Sequence, residues 1–329
     1  MKNYIQHLHN KPYAKFLWFV LKLLITAGAW WYLYITIVSS TEGIEFQPIA
    51  GDEIIYFVLL FVLLFVNWGL EAYKWRVLVS VFQKISFLRA LKGTLMGLAI
   101  GFITPSRIGD IGGRAVVLKY GRKKAIVATS VGGLVQLCVT VLFGIIGLGL
   151  FSLFFVHTDQ FYAYVIAGVC LLFCGVFLAI VLFKRGVWNR LLLKITGIRL
   201  YKKIIRTLSV YSFRTLSAAF GLGISRYVVF GFQYILLLAL FVPEMSFIQC
   251  VVGITITYVC ASFVPSSILG ELGVRGSVAV YMFGLFGAVP MSVFQVTLYL
   301  WLINMAVPVF VGSVLLFVYK ISSRFEQEN

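Results

Sequence analysis

The stretch Phe102–Arg114 reads FITPSRIGDIGGR, in a chain that is otherwise mostly hydrocarbon. It sets Arg107, Asp110 and Arg114, with one proline and three glycines, between apolar runs where membrane depth is expected. A similar stretch returns as FVPSSILGELGVR, Phe263–Arg275.

The surroundings settle the broad class. Of 329 residues, 61% are hydrophobic and only 12% charged, and the mean hydropathy is +0.99. A soluble domain carries about twice that charge fraction. Apolar runs reach spanning length at Phe16–Val38, Ile54–Val66 continuing toward Val81, Ile126–Val156, Phe161–Phe183, Ala218–Val242 and Met291–Tyr319. About 20 such residues cross the roughly 30 Å of a bilayer core as a helix. The expected class is therefore an all-α polytopic integral membrane protein, with 1–329 as a single transmembrane domain. Lys2, Lys11 and Lys15 precede the first run, but it is too long for a signal-peptide core and no small-residue cleavage site follows, so it reads as a retained span. Cys138, Cys170, Cys174, Cys250 and Cys260 sit in apolar segments without metal-ligand spacing, and read as packing thiols. His7, His9 and His157 lie near a chain end or in a loop, so neither a metal site nor a cofactor is expected.

The net charge of +17 reports topology. Lys and Arg gather in the N-terminal segment, at Lys84–Lys92, Lys119–Lys124 and Lys184–Arg214, and at Lys320 and Arg324. The segments Ser39–Glu53, His157–Gln160, Val242–Phe247 and Phe286–Pro290 have none and hold acids instead or no charge at all. Positive residues stay inside, which puts the first group and both termini in the cytoplasm. The basic loop suits anionic headgroups of the inner leaflet; no soluble domain presents a patch to nucleic acid.

That orientation constrains the opening stretch. Leu95–Ile103 is too short to cross, and the chain is basic again by Lys119, so a hairpin is expected to enter from the cytoplasm, turn near Thr104–Gly113 and leave on the same side. Gln249–Val264 enters from outside, turns at Pro265–Gly273 and returns there. At an offset of 161, Phe102 pairs with Phe263, Ser106 with Ser267, Gly109 with Gly270, Gly112 with Gly273 and Arg114 with Arg275, while Asp110 meets Glu271. The expectation is an inverted-topology repeat, A at about 53–156 and B at about 212–319, each holding a re-entrant broken-helix hairpin. A span at 161–183 and a cytoplasmic loop at 184–211 link them. Pro105, Gly109, Gly112, Pro265, Gly270 and Gly273 are the expected turn residues.

Asp110, Arg114, Glu271 and Arg275 would together cost roughly 10–14 kcal/mol if left unpaired at depth. One reading is structural: acid and arginine stand four apart, a favourable helical pair, with each acid near a helix N-terminus. The other adds a polar cavity through which a lipid headgroup passes, Arg114 and Arg275 gripping phosphate with their planar forks. Asp110 and Glu271 would then meet an amine or a proton. Arg107, Ser106, Ser267 and Arg226 are further candidate contacts; Arg226 either lines that cavity or pairs with Glu71. Glu71, Lys74 and Arg76 read as an interfacial, snorkelling group. Gly97, Gly101, Gly132, Gly133, Gly144, Gly147 and Gly149 read as close helix-packing positions, and Trp30, Trp31, Tyr32 and Tyr34 as an outer aromatic belt.

The Thr-Pro-Ser-Arg-Ile-Gly-Asp…Arg motif at 104–114 and Pro-Ser-Ser-Ile-Leu-Gly-Glu-Leu-Gly-Val-Arg at 265–275 together resemble the two signatures of the lysylphosphatidylglycerol synthase transmembrane region, or flippase-like, family. The resemblance covers most of the chain. Members with a cytoplasmic aminoacyl-transferase domain make the lipid, and the transmembrane part is implicated in flipping it. With no room for a transferase before Asn329, the resemblance implies translocation without synthesis, in a bacterial-type cytoplasmic membrane, with membrane lipids as partners and a lipid-synthesising enzyme as a further one. Two other readings stand beside it: an integral-membrane enzyme of lipid or glycan modification using Asp110 or Glu271 as general base, and a non-transporting partner of a lipid synthase.

Overall fold

A backbone in hydrocarbon meets its own hydrogen-bonding needs by coiling, so long apolar runs become helices. The computed structural model describes residues 12–40, 46, 51–104, 108–118, 122–155, 168, 210–264 and 268–328. The expected span at 161–183 and the loop at 184–211 lie outside these residues apart from 168 and 210–211. Among the described residues the structure is helical, and five helices are long and apolar enough to cross a membrane. They are α1 (Pro12–Val38), α2 (Ile54–Val79), α5 (Arg122–Phe155), α6 (Phe213–Phe241) and a last, composite helix from Pro290. Large apolar side chains such as Phe65, Ile55 and Phe310 point outward, as they do when lipid is the solvent. The protein is an all-α polytopic membrane protein.

Both odd stretches form helical hairpins. In the first, α3 (Phe87–Ile103) and α4 (Ile108–Val116) are joined across 104–107; in the second, α7 (Phe247–Phe263) and α8 (Ile268–Gly284) are joined across 264–267. Each hairpin opens with Ser-Phe. Ser86 accepts the Arg89 N–H at 3.3 Å, and Ser246 forms a capping box with Gln249, satisfying donors that a helix start leaves unpaired. The turns are tighter than the sequence suggested. Gly109, Gly112, Gly270 and Gly273 belong to helices, not to turns, while Pro105 and Pro265 lie outside the described residues. The cap serines Ser86/Ser246 stand 160 apart, whereas Gly109/Gly270 and Arg114/Arg275 stand 161 apart, so the second hairpin runs one residue longer from its cap to its arginine.

The packing of the two hairpins is reciprocal. Limb α3 lies on α10 (Val307–Glu328), the helix at the end of the second half, and limb α7 lies on α5, the helix that follows the first hairpin. Returning limb α4 contacts α5, and α8 contacts α9 (Pro290–Trp301). Helices α2 and α6, which precede the hairpins, pack on each other. Helix α1 stands outside this exchange and covers α8: the Trp30 indole lies where a side chain at Gly273 would project, and Ser277 donates to the Ala29 carbonyl at 2.8 Å. Trp30 thus makes this contact, with its ring edge-on to Phe294, while Trp31 and Tyr34 are more exposed than it is.

Between α9 and α10, Leu302–Ala306 widens into a π-helix, where one continuous helix was expected. Pro308 has no N–H for the Asn304 carbonyl, and its ring would crowd that group, so the chain coils more loosely ahead of it. The Val307 N–H reaches back to Leu302 O, and Asn304 accepts from the Asn67 amide of α2 at 2.8 Å.

Glycines set how closely the first hairpin closes. A Cβ at Gly113 would stand 2.6 Å from the Met96 carbonyl oxygen, and one at Gly97 would stand 2.7 Å from the Asp110 carbonyl oxygen; Gly112 faces open space. The two neighbours should therefore respond in opposite directions. Gly113→Ala must push backbone against backbone and is expected to destabilise by about 1–3 kcal/mol or more; Gly112→Ala is expected to be neutral or to stabilise by up to about 1 kcal/mol through helix propensity. Thermal unfolding of both variants in detergent checks this.

Candidate functional site

Helix α2 buries one face, on which Asn67, Trp68, Glu71, Lys74 and Trp75 recur at helical spacing. Glu71 is its centre. One carboxylate oxygen lies 2.7 Å from Lys74 Nζ and 3.3 Å from Arg226 Nη1 on α6, and the other lies 3.2 Å from Arg114 Nη2 on α4. Arg114 is also held by Asp110, Nε to Oδ1 at 2.8 Å, one helical turn back. Lys74 donates to Gln136 Oε1 at 2.9 Å. The guanidinium of Arg114 lies over Trp75 at 5.9 Å and that of Arg226 over Trp68 at 5.4 Å, contacts that partly replace lost hydration. The Lys74 side chain is 1% exposed, so Glu71 and Lys74 do not snorkel to an interface. Arg76 differs: it donates to the Ile85 carbonyl at 3.1 Å beside the loop.

The second hairpin carries a simpler pair. Glu271 Oε1 meets Arg275 Nη2 at 2.6 Å, and the guanidinium lies 5.9 Å from the centre of the Tyr258 ring. Arg275 is 33% exposed, against 8% for Arg114.

Two adjoining cavities connect these groups. A chamber of about 210 Å³ is bordered by Glu71, Lys74, Asp110 and Arg114, and a larger one of about 400 Å³ by Glu271 and Arg275. Arg226, Trp68, Leu98, Gly133, Gln136 and Met305 border both. Three acids (Glu71, Asp110, Glu271) face four bases (Lys74, Arg114, Arg226, Arg275), which leaves one positive charge in excess. The larger chamber falls within the size range of ligand sites, about 300–1,000 Å³. Several residues on its border hold a polar atom that is buried without a hydrogen-bond partner: the indole nitrogens of Trp68 and Trp301, the hydroxyls of Tyr227 and Tyr258, and Thr257 Oγ1. Each such group costs about 1–3 kcal/mol while unsatisfied.

The structure thus brings Asp110, Arg114, Glu271, Arg275 and Arg226 to one cavity system, and Arg226 both lines it and pairs with Glu71. Ser106, Arg107 and Ser267 lie outside the described residues. Gly109 donates to Thr104 Oγ1 at 2.8 Å, closing the first turn, and Gly112 lies away from the cavity border. Of the glycines read as packing positions, Gly97, Gly101, Gly144 and Gly147 are close contacts, whereas Gly133 has nothing within 4 Å and borders both chambers. Sequence reading missed Glu71 and Lys74 as the centre. The signal was the polar and tryptophan face of α2, which is where a membrane helix turns such residues toward protein. Among the described residues no cluster of His, Cys, Asp or Glu could hold a metal.

The two acids should differ in weight. Glu71→Gln leaves Lys74, Arg114 and Arg226 facing one another with Asp110 beside Arg114, and is expected to cost about 3–5 kcal/mol. Glu271→Gln leaves a single, more exposed arginine and should cost distinctly less. Thermal unfolding in one detergent compares them.

No curated protein matches the chain significantly. The family described as Lysylphosphatidylglycerol synthase TM region matches residues 17–312, which spans both hairpins, the Glu71 centre and both chambers. The chain belongs to the lysylphosphatidylglycerol synthase transmembrane-region family.

Proposed function

We propose that the protein translocates a phospholipid or lipid-linked headgroup across the membrane, the phosphate passing between the two chambers by way of Arg226. The observation that carries this reading is the position of Arg226, on the common border of a chamber built on the first hairpin and one built on the second. Its guanidinium is a planar fork suited to phosphate, and the cavity holds one more positive than negative charge. A phosphate at Arg226 would take over part of the role that Glu71 has there, and Glu71 would keep Lys74 and Arg114.

The two halves, about 53–156 and 212–319, act in this reading as an inverted repeat that opens the chambers in turn, with the hairpins at membrane depth and the termini on the cytoplasmic side. Each hairpin resting on a helix of the other half supports it, because such contacts couple movement of one half to the other. The pairing of Asp110 with Arg114 and of Glu271 with Arg275 favours transport over general-base chemistry, since each carboxylate is already engaged by a guanidinium. It also disfavours those acids as direct partners of an amine.

A flipping assay with fluorescent phospholipids in sealed vesicles tests the proposal. Arg226→Gln is expected to lower the rate at least tenfold, and Arg226→Lys to retain part of it, since the charge stays while the fork is lost. An unchanged rate in Arg226→Gln would contradict the reading. Formation of a modified lipid in detergent micelles, where no transport is possible, would favour an enzyme.

A further inference from the structure

Of the residues that border both chambers, only Arg226, Trp68 and Gln136 end in a hydrogen-bonding group. Gln136 lies on α5, and Gly133, Leu137 and Thr140 beside it on the same face also border the larger chamber, so that face is turned to the cavity. The Gln136 carbonyl oxygen accepts from Lys74 Nζ at 2.9 Å. An amide can be turned either way about its last bond, and Lys74 decides which. An ammonium has donors and no acceptor, so it takes the oxygen end. Glu71 holds Lys74 in turn at 2.7 Å, which clamps the amide from the side of the ion cluster. The Gln136 amide nitrogen has no partner among the described residues, and it is not among the buried atoms closed to water.

The side chains of the shared wall therefore offer donors. Arg226 and Trp68 have no acceptor, the oxygen of Gln136 is engaged by Lys74, and Leu98, Gly133 and Met305 bring neither nitrogen nor oxygen. An amine at this wall would meet no free acceptor, whereas phosphate oxygens accept from an amide and a guanidinium together. Resting on the phosphate reading above, we infer that Gln136 is a second phosphate contact beside Arg226, and that Lys74 is the positioning residue that turns the amide nitrogen toward the headgroup. Glu71 then serves both contacts, Arg226 directly and Gln136 through Lys74. The competing account is purely structural: Gln136 does no more than accept from a buried lysine.

The test measures binding of short-chain phosphatidic acid to the full-length protein in detergent by native mass spectrometry, with unfolding temperature followed in parallel. Gln136→Met keeps the length of the side chain and removes both ends of the amide. Gln136→Glu keeps an acceptor for Lys74 but exchanges the amide donors for a second oxygen. It also gives the cluster of Glu71, Asp110, Lys74, Arg114 and Arg226 a third acid for its three bases, so its unfolding temperature without lipid should match or exceed that of the wild type. Phosphatidic acid is expected to bind Gln136→Met about tenfold more weakly than the wild type, the scale of one hydrogen bond to a charged group, and Gln136→Glu more weakly still. Wild-type affinity in Gln136→Met would overturn the contact, and any loss in Gln136→Glu would then be charge repulsion. Lys74→Met, which leaves two acids and two bases in the cluster, separates positioning from charge. It should weaken binding in the native chain and add little in Gln136→Met. Unchanged binding in the native chain, or a loss of the same size in both, would overturn the positioning role. Binding that is lost in Arg226→Gln but kept in Gln136→Met removes this inference alone. No binding by the wild type, or wild-type affinity in Arg226→Gln, removes the phosphate reading and this inference with it.

Discussion

A single carboxylate that meets three cations in an apolar bundle, one of them shared with Asp110, determines much of this structure. Glu71 takes Lys74 from its own helix, Arg114 from the first hairpin and Arg226 from α6. Charges at that depth are tolerated only when paired and hydrogen-bonded, so the three helices must meet at one point. The glycines of α3 and α4 follow from this requirement. Only a chain without side chains at 97 and 113 lets the limbs approach closely enough for Arg114, held by Asp110, to reach Glu71. The π-helix near Asn304 answers a similar demand, tying the last span to Asn67, one turn from Glu71.

The two hairpins share a plan but not a burden. The first is short on its returning side, closed by glycine and bound into the ion cluster. The second has two helices of 17 residues each and a pair of charges open to the larger chamber, and α1 lies across its outer side. One hairpin is thus anchored at a densely paired site while the other borders the roomier space. In an alternating mechanism the looser pair is the better placed to exchange its partner for ligand, and the denser cluster to hold the halves in register.

Much of the fold was legible in the sequence because its signals are local. Spanning runs, basic loops and the Gly-acid-arginine motif each occupy a short stretch, and the described spans begin and end within a few residues of the apolar runs. What was not legible depends on distant contacts. Glu71 and Lys74 are three apart in an uninterrupted span, so alone they read as a surface pair; only α4 and α6 reveal that two more cations arrive there. Gly112 and Gly113 look equivalent in the chain, but one meets open space and the other the backbone of α3. The one-residue difference between the hairpins was hidden because ungapped pairing already matched the charged positions. The two cap serines exposed it.

The central claim is that the wall shared by the two chambers is reached from either side of the membrane as a headgroup passes. Gly133 lies on that wall with space around it, so Gly133→Cys, in a chain with the native cysteines replaced by alanine, reports on it directly. A membrane-impermeant thiol reagent is applied to sealed vesicles from one side and then from the other. The account predicts labelling from both sides, slowed by a soluble glycerol phosphate. Absence of labelling from either side, or access from one side alone, would contradict it and leave the charged centre as a structural clamp.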